Sequence, residues 1–77
     1  MLKITTNDGM TFIGASPVEV IRRMQEAQWL RYDIKREYKK DVRDRVEQMT
    51  GVTIRLDPQD FIDDLEKLDL IMVGHAD

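Results

Sequence analysis

The chain has 77 residues, 42% hydrophobic and 35% charged, with a formal net charge of −3. That apolar content is enough for a core and argues against disorder. The length allows one domain, which buries roughly 60 to 65% of the surface of its unfolded chain. The absence of cysteine excludes disulfides and thiolate zinc sites and fits a reducing compartment. We therefore expect one compact cytoplasmic domain over residues 1–77.

No targeting or membrane segment is predicted. The opening MLKITTNDGM lacks the basic stretch and apolar run of a signal peptide. No apolar run approaches the roughly 18 residues of a membrane span. We expect an unprocessed, soluble protein that does not bind a membrane and whose last residues, 74–77, are frayed.

The first predicted element is a β-hairpin in LKITTNDGMTFIGA, where alternating residues surround a turn signal. A two-residue loop would pair Ile4 with Ile13, whereas a three-residue loop ending at Gly9 pairs Ile4 with Phe12. The longer loop puts Gly9 at the left-handed position that this loop type requires. We predict the three-residue loop, which gathers on one face the apolar side chains of Leu2, Ile4, Met10 and Phe12.

Two helices have clear start signals in the sequence. Ser16 precedes Pro17, and Glu19 completes a capping box, which predicts the start of the first helix. Asp57 and Pro58 predict the start of the last helix in the same way. The side chains that we expect to be buried are Val20, Ile21, Met24, Ala27 and Leu30 in the first helix, and Phe61, Ile62, Leu65 and Leu68 in the last.

The middle of the chain permits two interpretations. Apolar residues recur every three or four positions throughout 20–49, with no glycine or proline between them, so one helix over 17–50 satisfies the pattern. It would be about 50 Å long at 1.5 Å per residue, too long for this domain without a partner chain to cover it. We predict two helices with a break near 30–33, where Asp33 caps a second helix that ends at Gly51.

The remaining segments predict the rest of the sheet. VTIRL at 52–56 alternates as a short third strand, with Val52, Ile54 and Leu56 facing inward. DLIMV at 69–73 is either an added edge strand or a packed tail. The predicted order is ββααβα, an α+β fold with an N-terminal hairpin and helices packed on one face of a small sheet.

No catalytic, cofactor or metal site is predicted. His75 is the only histidine, so no second imidazole is present to form a metal site or a catalytic pair with it. The glycines are too scattered for a phosphate-binding loop, and the acids of 57–69 lack the spacing and turn glycine of a calcium loop. We therefore expect no cofactor and no small-molecule substrate, and we consider an enzyme only as part of a larger assembly.

The charges are unevenly distributed along the chain. Residues 31–45 contain seven Lys or Arg and four Asp or Glu, a net +3, whereas residues 57–77 carry −6. On a helical wheel at about 100° per residue, the cations lie together beside the apolar stripe, although like charges four residues apart cost a few tenths of a kcal/mol per pair. Helix stability alone does not favour this grouping. We call it the basic ridge and define it as Lys35, Arg36, Lys39, Lys40 and Arg43, with Tyr32 at its edge.

The basic ridge has three interpretations. It is a solvated surface that faces the chain's own acids, a docking face for an acidic protein surface or a second copy of the chain, or a nucleic-acid interface with Tyr32 stacking on bases. The net negative charge disfavours nucleic acid. We predict a non-catalytic protein-interaction module or accessory regulatory protein, self-associating through the ridge in the simplest case. A nucleic-acid-binding regulator that uses the same ridge is the alternative. Open sheet edges also permit pairing with a peptide or a second copy.

Overall fold

The computed structural model describes residues 1–30 and 37–76. These residues form one antiparallel sheet with helices packed on one of its faces. The strand order across this sheet is β2-β1-β3. The predicted α+β class, with its N-terminal hairpin, is confirmed. In chain order the elements are β1 (Leu2–Thr6), β2 (Thr11–Gly14), α1 (Pro17–Glu26), α2 (Tyr38–Thr50), α3 (Pro58–Lys67) and β3 (Ile71–His75).

The hairpin has the predicted three-residue loop. Ile4 lies opposite Phe12 in the β1–β2 pair, and the backbone N–H of Thr6 donates to the carbonyl of Met10 at 2.8 Å. Gly9 has a φ of 93°, in the left-handed region that glycine adopts without a steric penalty. Ile4 and Phe12 are buried, so the hairpin presents its apolar face to the helices.

The first helix begins as predicted but ends earlier. The Ser16 Oγ accepts a hydrogen bond from the backbone N–H of Glu19 at 3.3 Å, and α1 ends at Glu26. Gln28 and Leu30 have φ values of 57° and 54°, and a left-handed backbone does not continue a right-handed helix. Residues 17–50 therefore do not form one continuous helix, and their described part contains two, as predicted.

The predicted break near 30–33 lies between α1 and α2, but the first helix ends earlier than expected. The chain leaves the helix at Ala27, which is exposed, although we expected it to be buried in the apolar stripe. Trp29 in the following turn is buried instead, because the left-handed residues redirect the chain towards the core. The predicted cap Asp33 lies outside the described residues, and Glu37 is the N-cap of α2.

The third strand lies at the C-terminal side of α3 and not at 52–56. That segment forms no described strand, because side chains bind its backbone polar groups. The N–H of Arg55 donates to Asp64 at 2.9 Å, and the carbonyl of Leu56 accepts from Lys39 at 2.9 Å. Only Ile54 shows the full burial that the alternation predicted, whereas Val52 is exposed.

The C-terminal residues 69–73 supply an edge strand, one of the two alternatives that the sequence left open. β3 pairs with β1 so that Val73 lies opposite Ile4. Gly74 and His75, which we expected to be frayed, also pair with β1. The N–H of Ala76 donates to the carbonyl of Met1 at 2.8 Å, so the pairing extends one residue past the strand.

The core lies between the sheet and the helices. A Cβ at Gly14 would come within 2.9 Å of both Cγ2 and the backbone N of Val20, so a residue without a side chain lets α1 approach β2.

At the start of α3, Asp57 accepts hydrogen bonds from the N–H groups of Gln59 and Asp60, as predicted. The buried apolar residues are Ile4, Phe12, Val20, Ile21, Met24, Trp29, Tyr38, Val42, Val46, Ile54, Phe61, Ile62, Leu65, Leu70 and Ile71.

Candidate functional site

A shallow groove of about 200 Å³ lies between α1 and the first turns of α2 and α3. Sites for drug-sized ligands occupy roughly 300 to 1,000 Å³, so this groove has room for one side chain of a partner and little more. Val18 on its wall is 54% exposed, which leaves apolar surface for that side chain to cover. We call it the α1–α2 groove and define it by its lining residues, Val18, Ile21, Arg22, Gln25, Lys39 and Pro58.

Helical spacing explains the α1 side of the groove. Val18, Ile21, Arg22 and Gln25 stand at positions i, i+3, i+4 and i+7, which share one side of a helix. Ile21 is buried and the other three are exposed. The groove therefore has an apolar base with polar and basic side chains above it.

Lys39 supplies the basic group on the α2 side. Its Nζ donates to the carbonyl of Leu56 at 2.9 Å, a contact that positions the ammonium without cancelling its charge. An ammonium has three N–H donors, so two remain for a partner. Across the groove, Arg22 is exposed and forms no salt bridge with another residue of the described segments.

No residue that lines the described groove is acidic. Arg22 and Lys39 therefore create a local positive potential next to exposed apolar surface. A negatively charged group placed there would gain charge-assisted hydrogen bonds, which are roughly twice as strong as neutral ones.

Two further residues of the basic ridge have only weak internal partners. Lys40 Nζ lies 3.7 Å from Glu37 Oε2, with both side chains about half exposed. Arg43 Nε lies 3.5 Å from Asp44 Oδ1. An exposed pair such as Lys40–Glu37 contributes about 0 to 1 kcal/mol, whereas the side chains of Arg43 and Asp44 are only 31% and 27% exposed.

The other predicted site residues, Tyr32, Lys35 and Arg36, lie outside the described residues. The proposed stacking role of Tyr32 is therefore not addressed by the structure. Within the described part of the ridge, only Lys39 lines the α1–α2 groove.

The acidic side of α2 differs from the helical-wheel expectation. Asp41 lies outside the apolar stripe of the wheel, yet it is fully buried, with 0% of its surface exposed. It stands three residues after Tyr38 and one before Val42, and both of these are also buried. The buried face of α2 is therefore broader than the apolar stripe and includes the position of Asp41.

The C-terminal acids bind a different cation from the ones in the ridge. Arg55 forms two side-chain hydrogen bonds with Asp64, from Nη2 at 2.8 Å and from Nε at 3.0 Å. Its Nη1 also lies 3.3 Å from Asp60 Oδ1. These acids are therefore partly neutralised by Arg55, which lies in the segment before α3.

This contact changes the ionisation of both groups. The side-chain hydrogen bonds from Arg55, together with its backbone N–H, lower the pKa of Asp64 from 3.8 to about 2. The hydrogen bond to Asp64 and the nearby charge of Asp60 raise the pKa of Arg55. Both shifts favour the charged pair.

No family model matches the chain, and neither the curated proteins nor the solved structures with which it was compared include a similar one. The groove and the charges around it therefore carry the functional argument by themselves. Within residues 1–30 and 37–76, no group of three or more potential ligands is arranged to hold a metal ion. None of the helices described is long and apolar enough to cross a membrane.

Sequence reasoning missed the contribution of α1 to the site. It identified cations only on the second helix, whereas Val18 and Arg22 form the opposite wall of the groove. The signal was present, because Val18 is an apolar residue outside the buried stripe and Arg22 follows it by one helical turn. An apolar residue off the stripe of an amphipathic helix, with a cation four residues later, indicates such a surface.

Proposed function

We propose that this protein is a non-catalytic interaction module that binds an acidic segment of another protein in the α1–α2 groove. One apolar side chain of the partner covers Val18 and the base of the groove. Acidic residues on either side of it contact Arg22 and Lys39. The observation that carries the proposal is that two cations from different helices flank exposed apolar surface with no acid among the described lining residues.

The size of the site supports a protein partner over a small-molecule substrate. A groove of about 200 Å³ buries too little of a metabolite to bind it well, whereas protein interfaces combine one anchoring side chain with a polar rim. Lys40 and Arg43, with their weak internal partners, extend the positive charge along α2. Complementary charge at such a rim increases the association rate and the selectivity for acidic partners.

The partner is a different protein and not α3 of a second copy. Asp60 and Asp64 already contact Arg55 of their own chain. Their transfer to the groove of another copy would require breaking a bidentate contact, which is among the stronger kinds of ion pair. An acidic segment without such an internal partner binds at lower cost.

Fluorescence anisotropy with labelled peptides tests the proposal. The probe is an acidic peptide with one central Phe, and the control peptide has Lys in place of each acid. We expect the acidic peptide to bind at low salt and the control not to bind. Arg22→Glu and Lys39→Glu should each weaken binding about tenfold, equivalent to about 1.4 kcal/mol, while Lys3→Glu, on the opposite face of the sheet, should leave it unchanged.

Two results would count against this function. Equal affinity for both peptides would show that charge does not select the partner. Binding of labelled mixed DNA or RNA that weakens steeply with salt, together with no peptide binding, would favour the alternative of a nucleic-acid-binding regulator.

A further inference from the structure

The two edges of the sheet differ in how their outward backbone groups are satisfied. Hydrogen bonds in an antiparallel pair alternate, so every second residue of an edge strand directs its N–H and C=O away from the sheet. On β3, the carbonyl of Leu70 accepts from the N–H of Asn7, and the N–H of Ala76 donates to the carbonyl of Met1. The bonds towards β1 therefore fall on the even-numbered residues, and Val73 directs its N–H and C=O away from the sheet. On β2, the carbonyl of Met10 accepts from the N–H of Thr6, so the even-numbered residues bond to β1. Thr11 and Ile13 therefore direct their N–H and C=O outward.

The β3 edge is partly occupied from within the molecule. The outward N–H of Val73 donates to Glu66 Oε2 at 3.2 Å, so a side chain of α3 takes the place of a strand partner. Charged side chains at an edge are a known protection against further pairing. Addition of a strand at β3 would require Glu66 to move away.

The β2 edge has no comparable protection in residues 1–30 and 37–76, where no hydrogen bond reaches the outward groups of Thr11 and Ile13. Beside it lies an open groove of about 670 Å³, bounded by the edge residues and by Arg23 and Glu26 of α1. Because β2 is an edge strand and the groove beside it is open, a further strand can pair with it at the usual spacing of about 4.8 Å.

The charges at the β2 edge indicate which strand fits there. Arg23 and Glu26 give the edge one cation and one anion. Arg23 also lies 3.5 Å from Glu19 of its own helix, an exposed pair of a kind that contributes little. A twofold axis that passes between Arg23 and Glu26 would place each next to the opposite charge of another copy. Antiparallel pairing is itself compatible with twofold symmetry, which requires that one patch match itself. An acidic or basic peptide would match only half of this patch.

We propose that the protein forms a homodimer by antiparallel pairing of β2 with β2 of a second copy. With Phe12 on the twofold axis, Thr11 of each chain lies opposite Ile13 of the other, and the two residues exchange N–H to C=O bonds. The two sheets join into one, and Arg23 of each α1 faces Glu26 of the other. This dimer leaves the α1–α2 groove free and is independent of the proposed function.

Sedimentation velocity over a range from low to high micromolar protein tests the dimer. We expect the mass to rise with concentration from 9.1 kDa towards twice that value. Ile13→Pro removes an N–H that points away from β1, so the hydrogen bonds of the β1–β2 pair remain. Proline is tolerated at such a position on an edge strand. It deletes two intermolecular hydrogen bonds per dimer and should weaken association about tenfold or more. The control Ile13→Thr retains the N–H and should dimerise like the original chain.

A charge exchange provides a second test that does not depend on proline. Arg23→Glu should weaken the dimer several-fold, and adding Glu26→Arg in the same chain should restore it, because the exchanged patch again matches itself. A chain that stays monomeric at high micromolar concentration would overturn the proposal. So would a dimer that Ile13→Pro and Arg23→Glu leave intact but Lys39→Glu disrupts, because that result would place the interface at the basic ridge.

Discussion

The helices α2 and α3 follow one another in the chain, yet their starting ends are stabilised differently. At the start of α3, Asp57 accepts hydrogen bonds from two backbone N–H groups. At the start of α2, the N-cap Glu37 makes no side-chain capping bond. The first helix turn of α3 is therefore stabilised by local sequence, whereas that of α2 depends on the burial of Tyr38 and Val42 in the core.

The charged side chains of the two helices show the same contrast. Asp64 of α3 has a defined partner, Arg55, at 2.8 Å. Lys40 of α2 lies 3.7 Å from Glu37, its one salt-bridge partner among the described residues. Charges in a bidentate contact contribute to stability, whereas loosely paired ones remain available to another molecule. This contrast supports the proposal that cations of α2, and not the acids of α3, act in binding.

The largest change in stability that we expect is at the end of α2. Gly51 ends the helix with a φ of 77°, a conformation that costs about 1 to 2 kcal/mol for a residue with a Cβ. Gly51→Ala should lower the free energy of unfolding by that amount, as measured by urea denaturation followed by circular dichroism. Gly74→Ala is the control, because its φ is not positive and no atom lies within 4 Å of the added Cβ. Equal losses in both variants would show that conformation does not cause the effect.

A smaller effect should separate the starts of the two helices. Asp57→Ala removes the capping bonds of α3 and should cost about 1 kcal/mol. Glu37→Ala removes a side chain with no capping bond and a weak ion pair, so we expect a change of a few tenths of a kcal/mol. Urea denaturation of the two variants side by side measures the difference. If Glu37→Ala proved as destabilising as Asp57→Ala, the contrast between the two ends would be wrong.

The parts of the fold that the sequence predicted are those with local signals. The loop at Gly9 and the caps at Ser16 and Asp57 each depend on residues a few positions apart, and each was located correctly. The apolar side of α3 followed from its helical period and was correct for Phe61, Ile62 and Leu65, whereas Leu68 is only partly buried. Propensity and spacing determine such features before any tertiary contact forms.

The parts that failed depend on distant partners. The alternation at 52–56 predicts a strand, but a strand requires a neighbour, and Asp64 and Lys39 occupy backbone groups of this segment instead. The burial of Asp41 and the half of the groove that α1 supplies are likewise set by how helices pack. A helical wheel describes one helix and contains no information about its neighbours.

The smallest expected effect concerns the pH dependence of the pair in α3. Folding lowers the pKa of Asp64 from 3.8 to about 2, mainly through hydrogen bonds from Arg55. A carboxylate with a lowered pKa stabilises the fold above its unfolded pKa, and that stabilisation is lost as the pH falls through the folded value. The difference in unfolding free energy between the original chain and Asp64→Asn should therefore be constant above about pH 5 and should shrink between about pH 4 and pH 2.

Asp63→Asn on the same helix is the matched control. Asp63 accepts a hydrogen bond from the neutral side chain of Gln59 at 2.9 Å. Among the described salt bridges, those of Arg55 are with Asp60 and Asp64 and not with Asp63. We expect its difference from the original chain to change less over this pH range. A difference for Asp64→Asn that stays constant down to pH 2 would mean that Arg55 does not hold this carboxylate ionised. The acids of α3 would then be as available to a partner as the cations of α2, and the proposal that α2 supplies charges for binding would lose its electrostatic basis.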